Sequence, residues 1–565
     1  MMSRSFGWFI YGIVSVFCFC FFLWPIWQIL KGGFIDPNGG FTMAYFMEVF
    51  ASPIYREGFI NSFSLAIAST ITTMLVAIPL AVIVHRFEFP LKGLFGGLIL
   101  LPIMLPPFVG AMGVTQILGE YGTLNVLLQY LHILAPGQTI DWLSENRFLG
   151  IVFLNAFSLY PVLYLNVLAA LSSIDPALDE AAENLGCMGV KRFFKITLPL
   201  MRSGLFAGCT IIFIWSFTEL GVPLMFDYDR VTSVHIFNGL KEIGNNPFPY
   251  ALVSAMLLCS VAFYAIGKGL FGRKSFPMMA KASHAYEPKR PGPLGTTLCV
   301  SIFGLVTFIA LLPHVAVVLI SFASDWYNSI LPTGFTYQNY EIALGHPLTV
   351  PSIQNSLIYA GSATLLNVVL GVCVAFVIVR TKLPGRNILD AITMLPLAVP
   401  GLVMAFGYFA MSLEGKFFDF LNPVENPTAL LIIAYAIRKM PFVIRSAVAG
   451  LQQTSETYEE AAQNLGCHPL KSAIKITLPL IAANLLAGAL LAFSKSMLEV
   501  SDSLILAQKQ QFYPITKAIY ALMNLVGDGP YLACALGVWA MAFLATTIIS
   551  TSVLMGQKLG AIFRL

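Results

Sequence analysis

Charged side chains inside long apolar runs are the residues of this chain best placed to do chemistry, since each is costly in hydrocarbon and must face a partner or a cavity. Glu219 lies in the apolar run 203–226, Arg438, Lys439 and Arg445 in 428–451, and Lys495, Glu499 and Asp502 in 482–506. Lys495 precedes Glu499 by four residues, which puts both on one face of a helix as an internal ion pair, with Asp502 at a polar helix end. The other reading has Glu219 and Glu499, 280 residues apart, flanking a central pathway or its gate. Arg438 and Arg445 are two helical turns apart and share a face. They would draw an anion, or an anion-chelated metal, through a pore; equally, they would snorkel or pair with Glu499 or Asp502. All of this is chemistry of moving a charged solute rather than of breaking bonds. The chain has no GxxxxGK[ST] loop to cradle phosphates, no HExxH and no Ser/His/Asp constellation, and its nine Cys form no CxxC pair. It is therefore expected not to be an enzyme and to hold no metal or cofactor of its own.

The elements that must position these residues are spanning helices. Hydrophobic residues make up 57% of the 565 and charged residues only 11%, with a mean hydropathy of +0.79. Soluble domains carry roughly 25% charged residues, so lipid must be the solvent here. A net charge of +4 is too small to imply nucleic-acid binding. Apolar segments of bilayer length occur twelve times, at about 8–30, 59–84, 94–118, 148–172, 203–226, 248–271, 295–322, 355–379, 388–412, 428–451, 482–506 and 531–554. The first is too long for the apolar core of a signal peptide and reads as a retained span. With both termini cytoplasmic, the loops on that side hold about 19 Lys and Arg against 8 opposite, the asymmetry expected of cytoplasmic loops.

An internal repeat organises the spans. EAAENLGCMGVKRFFKITLPL at 180–200 returns as EAAQNLGCHPLKSAIKITLPL at 460–480, and Asn61-Ser62, Arg86, Pro90, Leu101-Pro102 and Pro106 return as Asn355-Ser356, Arg380, Pro384, Leu395-Pro396 and Pro400. The expected fold is an all-α polytopic membrane protein with about twelve transmembrane helices in two parallel six-helix repeats, related by a pseudo-two-fold axis along the membrane normal. The halves are 1–271 and 295–565, joined by a basic, Pro-containing cytoplasmic linker at 272–294.

The repeated segment resembles the EAA loop of ATP-binding-cassette importer permeases of type I: EAA, three residues, Gly, nine residues, then I-x-LP. Both copies fit, through Glu180, Ala181, Ala182 and Gly186 at about 175–200 and Glu460, Ala461, Ala462 and Gly466 at about 455–480. Its sequence reads as a short helix, acidic near its start, a Gly-permitted turn, and Pro199 or Pro479 in the first turn of the next span. The resemblance implies that these eight residues couple to an ATPase, with two identical ATPase copies binding ATP and Mg, one under each loop, and an external binding protein delivering substrate. LPPFVGAMGVTQILGEYGTLN at 105–125 and R-x-x-P-x-x-x-R from Arg438 to Arg445 resemble the fused ferric-iron permeases, whose relatives also carry thiamine, 2-aminoethylphosphonate and hexose phosphates. Ferric iron is the expected cargo, with a small phosphorylated or phosphonate anion as the alternative, in a bacterial inner membrane. An ion-gradient-driven carrier would leave the duplicated loops unexplained.

Overall fold

In hydrocarbon each backbone N–H and C=O must be paired within the chain, and a helix does this locally. The computed structural model describes residues 4–36, 39–143, 146–244, 246–271 and 288–554. Most of the proposed linker, 272–287, lies outside the described residues. Among those described, nine helices are long and apolar enough to cross a membrane, and two bent helix pairs bring the number to eleven. Thr428–Gln453 occupies the place of the tenth span; its 26 residues reach about 39 Å at ~1.5 Å each. Its cations Arg438, Lys439 and Arg445 set it apart from its apolar counterpart Arg147–Ser172. The one described sheet is a two-stranded antiparallel pair, Ala323–Asp325 with Gly334–Phe335.

The two halves repeat element by element. Pro53–Arg86 corresponds to Thr349–Arg380, Arg147–Ser172 to Thr428–Gln453, Leu198–Phe217 to Leu478–Met497, and Phe248–Phe271 to Gly529–Leu554.

Four of the spans are bent or broken. The third and ninth bend by 103° and 101° at Leu105-Pro106 and Val399-Pro400. A proline offers no N–H to the preceding turn and keeps the residue before it out of helical geometry, and Leu105 is accordingly extended. The fifth and eleventh break at Thr218–Leu220 and Leu498–Val500 before short helices, Gly221–Met225 and Ser501–Leu506. Pro199 and Pro479 stand in the first turn of the α-helices Leu198–Phe217 and Leu478–Met497. Each follows a π-helical turn, Phe193–Thr197 or Ala473–Thr477, that runs without interruption into the span. The wider turn shifts the hydrogen-bond register where proline supplies no donor.

The first span of each half crosses to the other half. Gly113, in the bent third span, lies against Pro313 of the second half's first span; a Cβ there would be 2.4 Å from the Pro313 carbonyl oxygen. Its repeat equivalent Gly407 lies against Pro25 and Ile29 of the first half's first span, with nearest Cβ approaches of 2.9–3.0 Å. Close backbone approach at small residues is how helices associate where lipid supplies no hydrophobic drive. The Tyr408 hydroxyl donates to the Phe21 carbonyl at 2.7 Å, inside the π-helical turn Phe19–Leu23. Gly32 and Gly33 return the same helix to its own half, against Tyr250 and Ser254.

Gly113→Ala should therefore lower thermal stability by about 1–3 kcal/mol, the usual penalty of overpacking. Gly407→Ala should be milder, because a flexible Ile29 terminus stands at its closest approach. Thermal unfolding of the two purified variants checks the order.

Candidate functional site: a charged cavity between the halves

The bent third and ninth spans, the fourth and tenth, and the broken fifth and eleventh enclose a cavity of about 220 Å³. Both halves line it at equivalent positions, but with different chemistry. Ser158, Leu159 and Trp215 of the first half face Arg438, Lys439 and Lys495 of the second. Glu219 faces Glu499, and Val222 corresponds to Asp502.

The second half holds its charges as a compact buried cluster. The Arg438 guanidinium donates through Nη1 to Glu499 Oε1 at 2.5 Å and to Asp502 Oδ2 at 3.0 Å. Lys439 Nζ donates to the other Glu499 oxygen at 2.6 Å. Two cations thus neutralise two carboxylates, with Glu499 and Lys439 under 10% exposed and Asp502 wholly buried. Gly401, in the first turn after the ninth-span bend, makes room for this arrangement: a Cβ there would stand 2.3 Å from the Arg438 guanidinium.

The expected Lys495–Glu499 pair does not form. The helix carrying Lys495 ends at Met497, so the four-residue spacing no longer places the two on one face. Lys495 Nζ instead sits over the Trp215 ring, 5.4 Å from its centroid, bridging repeat-equivalent positions of the two halves. Arg445 does not share the cavity with Arg438. It pairs with Asp390 at 3.3 Å and meets the Met394 sulfur, about half exposed at the flank of the helix Arg386–Met394.

Glu219 sits in the break of the fifth span, where its Oε1 accepts from the N–H groups of Gly221 and Val222 at 3.0 and 3.3 Å. These are donors the helix start leaves without intrahelical partners. Both breaks are held by matching side chains. The Ser233 hydroxyl donates to the Glu219 carbonyl at 2.6 Å, and the Thr516 hydroxyl to the Glu499 carbonyl at 2.7 Å. Those two residues stand second in the short helices Thr232–Gly239 and Ile515–Met523, whose first N–H groups, of Thr232 and Ile515, donate to the hydroxyls of Ser62 and Ser356. Asn61 and Asn355 donate to the carbonyls just upstream. The repeated Asn-Ser pair thus has a physical role, as a support for the breaks.

At the end of the bundle that carries the repeated loops, the helices Pro176–Asn184 and Thr457–Asn464 project from the spans. Asp175 caps the first by accepting from the Ala177 N–H. Gly186 and Gly466 follow at φ +71° and +86°, a left-handed conformation that a side chain would strain. Just before them Leu185 and Leu465 stand 86% and 89% exposed. Glu180, Ala181, Glu460 and Ala461 are exposed on these helices, while Ala182 packs inward and Ala462 is half-buried.

Each projecting helix is tied down by acids neighbouring the expected ones. Glu459 accepts from Arg380 at 3.1 Å and from the Thr477 hydroxyl at 2.9 Å. Glu183 accepts from Arg192 at 2.6 Å and pairs with Lys289 at 3.2 Å, and these two cations hold its carboxyl below the ordinary glutamate range. Sequence reading missed Glu183, Glu459, Trp215 and Gly401 as site residues, and it named Lys439 and Lys495 without their observed partners. Arg380 was visible only as a repeat marker alongside Arg86, which itself donates to the Thr197 hydroxyl.

Such an arrangement defines a class: a multi-pass helical membrane protein of two parallel repeats, with a charged cavity between them and a matched pair of projecting loops at one end. The family model for the inner membrane component of binding-protein-dependent transport systems matches residues 77–274 and 367–551, one copy in each half. The chain belongs to that family, and is a permease component of an ATP-binding-cassette importer. A ferric transport system permease of Actinobacillus pleuropneumoniae is 28% identical over 499 residues, 86% of this chain and 68% of its own. A putative ferric transport permease of Haemophilus influenzae is 27% identical over 512 residues, 86% of this chain and 77% of its own. A sulfate transport system permease of Salmonella typhimurium is 30% identical over 268 residues, 44% of this chain and 91% of its own. A solved bacterial importer of alginate aligns over 48% of this chain and 97% of its own at 17% identity, with a TM-score of 0.40.

Arg438→Met would leave Glu499 and Asp502 buried without their shared partner. It should destabilise the protein by about 3–5 kcal/mol, the scale for breaking a buried ion pair from one side. Arg445→Met removes a half-exposed pair and should cost under about 1 kcal/mol. Thermal unfolding in detergent distinguishes the two, and equal losses would contradict the assigned geometry.

Proposed function

We propose that this chain is the membrane pathway of a ferric-iron importer, with the cavity between its halves as the route and the projecting loops as the seats of two identical ATP-binding-cassette ATPases. The observation that carries the cargo is the extent of similarity. Two ferric permeases align across 86% of the chain, through both halves, whereas the sulfate permease aligns with 44%. In this reading ATP and Mg²⁺ are held by the ATPase subunits, and the chain binds no cofactor. A substrate-binding protein delivers iron at the face opposite the loops, and both termini lie in the cytoplasm.

The loops are suited to mechanical coupling. Leu185 and Leu465 offer apolar contact next to a fixed left-handed turn, and the ties from Glu183 and Glu459 pass a push on the loop into the adjoining spans. Glu219 and Glu499 stand at the span breaks, where a shift of either half changes the cavity wall. Glu180 and Glu460, exposed at the loop surface, are free to meet the ATPase.

ATP-dependent uptake into proteoliposomes containing the chain, its ATPase and its binding protein tests this reading, with ferric iron compared against sulfate and organophosphates. Iron uptake that stops without ATP is expected. Uptake of another solute alone would contradict the cargo, and gradient-driven uptake without ATPase would contradict the mechanism. Glu180→Ala, Gly186→Asp, Glu460→Ala and Gly466→Asp should each weaken ATPase association and lower uptake by about tenfold, equivalent to roughly 1.4 kcal/mol, with membrane insertion intact. Normal association and uptake in all four would remove the coupling assignment.

A further inference from the structure

The charges around the cavity fall into two groups. Arg438 and Lys439 are committed to Glu499 and Asp502, while Glu219 is turned onto backbone N–H groups through Oε1. Lys495 differs. Among the described residues its Nζ has no carboxylate within 4.0 Å and rests on the face of Trp215, across the boundary between the halves. A ring face holds an ammonium more weakly than an anionic oxygen does, and leaves donor hydrogens of the ammonium free. The same cavity is lined by Asn155, only 5% exposed, whose carboxamide nitrogen has no hydrogen-bond partner. A buried donor without an acceptor is a defect unless a ligand or water completes it.

We propose that Lys495 and Asn155 form an oxyanion subsite, in which the ammonium leaves the Trp215 ring to bind anionic oxygens that also accept from the Asn155 carboxamide. The subsite rests on the reading of this cavity as the transport route, and it names what the cavity recognises. Bare ferric ion would meet three cations there, Arg438, Lys439 and Lys495, while Glu499 is paired with two of them and Glu219 accepts from backbone N–H groups through Oε1. Anionic oxygens fit, whether they belong to a free oxyanion or to an anionic chelate that carries the metal. The two halves contribute unequally: the ammonium comes from the second, and the carboxamide and the ring from the first.

The position of Lys495 gives the test its signal. Tryptophan fluorescence of the purified chain in lipid nanodiscs is recorded beside that of Trp215→Phe, whose difference isolates Trp215 from the six other tryptophans. Sodium phosphate, sodium sulfate and ferric citrate are titrated, with sodium chloride at matched ionic strength as the control. A saturable Trp215 change with at least one oxygen-bearing probe, absent with chloride, is expected. Lys495→Met should raise the half-saturating concentration roughly tenfold or more, the scale of one charge-assisted hydrogen bond. Asn155→Ala should weaken binding in the same direction, and Lys495→Arg should retain it. Response to phosphate or sulfate identifies a free oxyanion as the ligand, and response to ferric citrate alone identifies the chelate; each supports the subsite. No saturable Trp215 signal with any probe, or one unchanged in Lys495→Met, overturns it. Iron uptake that persists in proteoliposomes alongside such a negative result would leave the importer reading standing and remove only the subsite.

Discussion

A charge placed where lipid is the solvent has to be neutralised by the same chain, and the Arg438–Glu499–Asp502–Lys439 cluster is where this protein meets that requirement most severely. Much of the surrounding geometry follows from it. Gly401 lacks a side chain where the guanidinium lies, and the ninth span bends at Pro400 just before it. The eleventh span breaks at Leu498–Val500, which presents Glu499 to the tenth span rather than to its own helix. A continuous helix there would have tied Glu499 to Lys495. The break frees Lys495 to cross to the other half.

The backbone is duplicated more faithfully than its chemistry. Bends, breaks, π-helical turns and the Asn-Ser supports recur in both halves, because each answers a local need of the backbone: a missing donor at proline, or unpaired N–H groups at a helix start. Ser158, Leu159, Trp215 and Val222 of the first half are nevertheless Arg438, Lys439, Lys495 and Asp502 in the second. The repeat thus builds a symmetric frame around an asymmetric cavity. Exchange of the first spans, with Pro313 on Gly113 and Pro25 on Gly407, makes the frame a single unit rather than two adjacent bundles.

The frame was largely legible in the sequence, and the cavity much less so. Span length and the repeat depend on local composition and on spacings of 280 and 294 residues, both open to inspection. The prolines at 106 and 400 stood out as repeat markers, yet hydropathy alone runs straight through them and conceals the bends. Glu219, Arg438, Glu499 and Asp502 were recognisable because charge is rare in such runs. Their pairing was not, since Arg438 reaches partners 61 and 64 residues away that only tertiary packing brings near. Arg445 shows the converse: two turns from Arg438 on the same helix, it lies beside a different neighbour, Asp390. Gly401 and Asn155 carry no sequence signal, because their significance is the space or the partner they lack.

The most direct test of the central claim, that the cavity between the halves is the transport route, is its accessibility through the ATP cycle. Ser158 lines the cavity and accepts a cysteine in a chain whose nine native cysteines have been replaced. With the ATPase and binding protein reconstituted, a membrane-impermeant thiol reagent is applied to one side at a time. The account predicts labelling from one side without nucleotide and from the opposite side with ATP trapped. A Ser158→Cys thiol that stays closed to both sides, or open to the same side in both states, would contradict it.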